Sequence, residues 1–248
     1  GHGLFLAYQP KIDLKRGRIS GVEALIRWQH PTRGLIQPDD FIPLAEHTGL
    51  IKELTLWVLN AALQQSQAWA RDGVELGIAV NLSVRNLLDL ELPDQVALLL
   101  QKWDVPASRL ELEITETTLM EDPVRASAVI GRLNDLGLRL SIDDFGTGYS
   151  SLVFLKQLPV QEIKIDKSFV INMLADKGDS AIVRSIIDLA KNLGLDVVAE
   201  GVENLGIMQE LTRQGCTTAQ GFFISRPVSA ESLGEWLAES SYANRCAA

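Results

Sequence analysis

The chain has 248 residues, 46% of them hydrophobic and 22% charged, a balance that suits a packed domain and excludes a disordered one. A formal net charge of −9 excludes a surface built for nucleic-acid polymers, and no apolar run approaches the ~18 residues of a membrane span. Two cysteines, Cys216 and Cys246, lack metal-ligand spacing, exclude a disulfide framework and fit a cytoplasmic domain, leaving open a membrane anchor elsewhere in a longer protein.

In chain order, Gly1-His2-Gly3 reads as a tag remnant ahead of a piece cut from a longer multidomain protein, and residues 1–248 read as one domain. Alternating or β-branched runs predict strands at 4–9 and 19–28. The segment "KIDLKRGR" between them is too short for a crossover helix, so the pair is expected to form an antiparallel hairpin. A helical period follows at 51–71, then strands at 76–82 and 110–115. A helix at 123–136 leads to a strand at 138–143, and "DDFGTGYSSL" then supplies a Gly-rich loop over 145–151 and a short helix at 152–158. Strands at 162–166, 196–200 and 216–223 alternate with helices at 180–193 and 203–214. Gly73, Gly137, Gly194 and Gly215 stand where left-handed helix caps are wanted. "NDLGLRLSIDDFG", "KNLGLDVVAEGVE" and "RQGCTTAQGFF" repeat one unit of helix, Gly, short strand and polar residue. Repeated αβ units over about 250 residues predict an α/β, TIM-like (β/α)8 barrel with one antiparallel strand in the first hairpin.

The last inward position of each predicted strand is polar: Glu23, Asn81, Glu113, Asp143 with Asp144, Lys164, Glu200 and Gln220. In "LELEITE" the apolar residues share one face and Glu113 the other, so Glu113 points into the barrel if the apolar face meets the helices. Sites of such barrels gather at the carboxyl ends of the strands. Carboxylates converging there repel one another unless a cation sits among them. Oxygen-only donors point to Mg²⁺ or Mn²⁺, and the pair Asp143 and Asp144 can serve two ions, the usual device for attack of water on a phosphodiester.

"GVEALIRWQHP", "VNLS", "LELEITE", "SIDDFGTGYSSL", "EIKIDKSF", "VVAEGVE" and "QGFFISRP" resemble, in order, the motifs of the EAL domain family, bacterial phosphodiesterases that open cyclic di-GMP. The resemblance runs from about Tyr8 to Pro227 and implies a barrel with one antiparallel strand. It implies Glu23, Asn81, Glu113 and Asp143 as ligands of one ion, and Asp143, Asp144 and Glu200 as ligands of a second. Lys164 would hold the attacking water, so that Lys164, Glu23, Glu113 and Asp143 form the catalytic set. Substrate contacts are expected from Gln9, Leu25, Arg27, Asp166, Glu203 and Gln220, with Arg27 on phosphate. Glu116 resembles the family's loop anchor, expected to accept hydrogen bonds from the loop backbone or from Thr147 and Ser150. The family also implies a homodimer through this loop and the following helix, and attachment to sensory or GGDEF-type domains in a full-length protein. Two other readings stay open: a cyclic di-GMP receptor without turnover, and a Schiff-base aldolase using Lys164.

Overall fold

A computed structural model describes residues 3–116, 122–148 and 152–242. Strands β1 (Leu4–Asp13) and β2 (Arg18–His30) form the expected antiparallel hairpin, with Gln9 opposite Glu23. Both run further than the sequence suggests. Ile12 and Ile19 pair across the hairpin and are buried, so half of "KIDLKRGR" is strand and residues 14–17 alone make the turn.

Among the described residues, eight strands close the barrel. After β1 and β2 come β4 (Gly77–Leu82), β5 (Leu110–Thr115), β6 (Arg139–Phe145), β7 (Glu162–Ile165), β8 (Asp196–Ala199) and β9 (Thr218–Ala219). From β2 round to β9 the barrel neighbours are parallel, and β1 runs against both of its neighbours, β2 and β9. β3 (Gly34–Ile36) only extends the far end of β2. The strand expected at 216–223 shrinks to two residues, because a Cβ on Gly221 would lie 2.2 Å from the Val202 carbonyl oxygen. There the backbone turns out of the sheet to bond across to Val202.

The surrounding helices are α1 (Pro38–Thr48), α2 (Ile51–Arg71), α3 (Val84–Leu87), α4 (Leu92–Trp103), α5 (Pro123–Asp135), α6 (Leu152–Gln157), α7 (Lys167–Asn172), α8 (Lys177–Leu193), α9 (Leu205–Gln214) and α10 (Ala230–Glu239). The sequence reading missed α1, α3, α4, α7 and α10. Prolines punctuate the start of α4 and both the start and the interior of α1, masking their helical period. Local caps move two helix starts: Asp176 accepts from Gly178 and Asp179 N–H at α8, and Asn204 from Ile207 N–H at α9.

Outward strand residues such as Val80, Leu112, Ile142 and Ile163 are buried with Leu63 of α2, Val96 of α4, Leu133 of α5 and Val183 of α8. Each fully buried Leu or Ile contributes roughly 1.5–3 kcal/mol. This shell supplies most of the core, since many inward positions are taken by Lys11, Glu111, Glu113, Ser141, Glu162, Lys164 and Thr218 rather than by the branched apolar residues usual in such barrels. No helix among the described residues is long and apolar enough to cross a membrane.

Candidate active site at the carboxyl end of the barrel

Lys164, on the inward face of β7, is fully buried. Its Nζ lies 2.7 Å from Glu113 Oε2, 2.8 Å from Glu200 Oε1, 3.0 Å from Asp143 Oδ2 and 3.8 Å from Glu23 Oε2. Burial alone would lower the pKa of the ammonium, but Asp143, Glu113, Glu200 and Glu23 together hold it well above the ordinary lysine value. One ammonium cannot balance four carboxylates. The deficit appears on the acids: burial, then Glu113, raises the pKa of Glu23, and burial lifts Glu200 to about 8 against the pull of Lys164.

Glu23 is held by Asn81 of β4 and by Gln220, the residue after β9. Asn81 Nδ2 donates to its Oε1 at 2.7 Å, and Gln220 Nε2 donates to its Oε2 at 2.6 Å and to Gln9 Oε1 at 3.0 Å. Gln9 in turn donates to the Ser225 carbonyl, tying β1 to the segment after β9.

Two adjacent residues of a regular strand face opposite ways, so a break in regularity is needed for Asp143 and Asp144 to serve one site. The structure supplies it. The β6–β7 register shifts between Ile142 and Phe145, and Asp144 adopts the left-handed region at φ +54°. Carboxylate oxygens of Asp143, Asp144 and Glu200 consequently come within 4.8 Å of one another, a grouping able to hold a metal ion. Burial, then Asp143 and Asp166, pushes Asp144 up to about 6.

The loop beyond is pinned from β5. Glu116 Oε2 accepts from Gly146 N–H at 3.1 Å and Gly148 N–H at 3.3 Å. A Cβ on Gly148 would sit 3.0 Å from the Glu116 carboxylate, which would have to shift to make room for it. Thr147 bonds instead to the Asp144 carbonyl, through Oγ1 at 2.8 Å, and Ser150 lies outside the described residues. Phe145, read as loop from the sequence, is the buried last residue of β6.

This barrel, with a polar interior and acids at its parallel strand ends, has known counterparts. The EAL domain family matches residues 1–227. The chain belongs to the EAL domain family. It is 46% identical over 231 residues to the bifunctional diguanylate cyclase/cyclic di-GMP phosphodiesterase MucR of Pseudomonas aeruginosa, covering 93% of this chain and 34% of that protein. It is 40% identical over 235 residues to the cyclic di-GMP phosphodiesterase PA2567 of the same organism, covering 95% of this chain and 40% of that protein. The chain thus spans well under half the length of these curated relatives. A solved structure described as PaMucR phosphodiesterase in complex with c-di-GMP superimposes with a TM-score of 0.90 at 46% identity, covering 93% of this chain and 94% of that one.

Within this EAL domain the remaining residues singled out in the sequence are spread around the site's edge. Arg27, half-buried on β2, donates to the Ile26 carbonyl at 2.8 Å and feels Glu23 and Asp39. Leu25 and Asn81 line a cavity of about 380 Å³ between β2, β4 and the apolar faces of α1 and α2. Asp166 caps α7 through Ser168 N–H. Glu203 is exposed, on the segment between β8 and α9.

A second polar layer lies below the first and escaped the sequence reading. Lys11 Nζ is 2.7 Å from Glu113 Oε1, 3.2 Å from Glu111 Oε1 and 3.8 Å from Glu162 Oε1, while Arg139 reaches Glu162 at 3.6 Å and Asp196 at 3.0 Å. Burial would raise Glu113, yet Lys11 and Lys164 bring it down to about 2. The signal was present in the alternation: Lys11, Glu111 and Glu162 stand two residues from Gln9, Glu113 and Lys164 and share their faces.

Proposed function

We propose that this EAL domain is a metal-dependent phosphodiesterase that opens cyclic di-GMP to linear 5′-pGpG. The observation that carries the reading is the buried ammonium of Lys164 ringed by four carboxylates, Glu23, Glu113, Asp143 and Glu200. The cyclic di-GMP phosphodiesterase activity of the relatives MucR and PA2567 supports this choice of substrate. The donor set fits hard divalent ions: all donors are oxygen, and they carry more negative charge than Lys164 offsets. Glu23, Asn81, Glu113 and Asp143 would hold one Mg²⁺ or Mn²⁺, and Asp143, Asp144 and Glu200 a second. Such ions supply a more acidic water and neutralise charge on the reacting phosphate.

The chain's own groups do the rest. Lys164, kept protonated by its neighbours, is unfit as a general base and acts as a donor that orients the attacking water. Water oxygen bonds to phosphorus as the P–O3′ bond breaks, and a water proton ends on the 3′ oxygen. Arg27 binds the phosphate as a fixed cation at the edge of an acidic mouth. Gln9 and Gln220 hold Glu23 in place and face the substrate's entry side, with Leu25, Asp166 and Glu203 around it. A homodimer through the loop after β6 and helix α6 belongs to the same proposal; Val153 on α6 is 68% exposed, giving apolar surface to a second copy.

The test is to incubate the protein with cyclic di-GMP and Mg²⁺ or Mn²⁺ and follow 5′-pGpG by chromatography, with Glu113→Gln alongside. Turnover by the parent and its loss in the variant are expected. Tight nucleotide binding without product would leave a receptor, and borohydride trapping of a carbonyl substrate on Lys164 would indicate the aldolase.

A further inference from the structure

Glu113 is fully buried, and its two oxygens have different partners. Oε2 faces Lys164 on the side of the carboxylate cluster, while Oε1 is held at 2.7 Å by Lys11. Lys11 comes from β1, two residues along the strand from Gln9, and so reaches Glu113 from the opposite side. It contacts none of Glu23, Asp143 or Glu200 and lines a cavity of about 760 Å³ at the amino end of the parallel strands, where Gly21, Gly77 and Ala79 leave the interior unfilled. Lys164 divides its hydrogen bonds among several acids and can yield Oε2 to another cation. Lys11 has only the three acids of its own layer, with Glu113 the nearest.

We propose that Lys11 sets the ion preference of this site by withholding one oxygen of Glu113. The inference rests on the metal-dependent reading above. A carboxylate with both oxygens free can serve Ca²⁺, which accepts six to eight oxygens and often takes carboxylates by both atoms at once. Mg²⁺ demands a tight octahedron and takes one oxygen from each carboxylate, and Mn²⁺ shares its taste for compact oxygen sites. With Oε1 occupied, Glu113 offers a single atom, which penalises the larger ion. Lys11 is therefore a positioning residue, acting through Glu113 without touching the ion or the substrate.

The experiment is a competition titration in the absence of substrate, reading free Mn²⁺ by electron paramagnetic resonance as Ca²⁺ is added. Lys11→Met keeps the apolar stem of the side chain and removes the ammonium. The Ca²⁺-to-Mn²⁺ affinity ratio is expected to rise about tenfold or more, the range over which partners of metal ligands act. Lys11→Arg keeps the charge and has the adjoining cavity to grow into, so its ratio is expected to stay within about threefold of the parent. The charge-balanced pair Lys11→Met with Glu111→Gln is measured as well, so that an unpaired buried acid does not decide folding. A lysine that only braces the barrel would lower the thermal midpoint and leave the ratio unmoved. A parental ratio in the methionine variants, or a shift in Lys11→Arg equal to theirs, overturns the inference. A parent that binds neither ion overturns the metal-dependent reading itself.

Discussion

Glu200 carries the clearest pH signature of the site. Burial lifts its folded pKa to about 8 from an ordinary 4.5, so between these values the folded chain binds a proton that the unfolded chain has released. Folding is thus favoured by protons in that window, and the group's contribution falls as pH rises through it. The thermal midpoint of the metal-free protein is expected to be lower at pH 8 than at pH 6, with a flatter profile in Glu200→Gln; equal slopes would place the titration elsewhere. Arg27 tests the substrate side. If it holds a ground-state phosphate, Arg27→Ala raises KM roughly tenfold, about 1.4 kcal/mol, with kcat little changed. Unchanged steady-state constants would turn this residue away from the substrate.

At the scale of elements, residues 146–148 show how a Gly-rich sequence after β6 is pinned from behind. Glycines at 146 and 148 let the backbone approach Glu116, whose one carboxylate oxygen receives both N–H groups. The left-handed turn at Asp144 is secured by Thr147 on the Asp144 carbonyl. Glu116→Ala is expected to lower turnover and Mg²⁺ affinity about tenfold, with excess Mg²⁺ restoring part of the activity. Superimposable Mg²⁺ titrations of variant and parent would show that the loop stands without this anchor. Gly148→Ala is expected to act in the same direction, because its methyl meets the Glu116 carboxylate.

Across the whole molecule, stability and charge are divided between two regions. The apolar shell between strands and helices holds the barrel together, and the interior stores a stack of acids and two buried lysines. An ion that binds only the folded chain relieves the excess negative charge and stabilises the fold. Mn²⁺ at about a hundred times its Kd is expected to add about 2.7 kcal/mol, or roughly 5–10 °C in Tm, and excess EDTA to remove both that shift and turnover. Full activity in EDTA would sink the two-ion reading. Ca²⁺ is expected to support nucleotide binding better than hydrolysis, which paired binding and product assays can separate.

Period-two patterning along "LELEITE" and "EIKID" determined by itself which face of each strand meets the helices, and hence that Glu113 and Lys164 point inward. The hairpin's reversed strand was equally legible, since eight residues cannot form a crossover. Side-chain alternation is local, and local rules are written in the sequence. What Lys11, Glu111 and Glu162 do was decided only by barrel closure, which brings residues about a hundred positions apart within 3.2 Å of each other. The joint use of Asp143 and Asp144 likewise depends on a register shift against β7, and the short β9 on the backbone contact between Gly221 and Val202. These are agreements between distant strands, fixed by packing and hydrogen bonding across the sheet, and no periodicity within one segment encodes them.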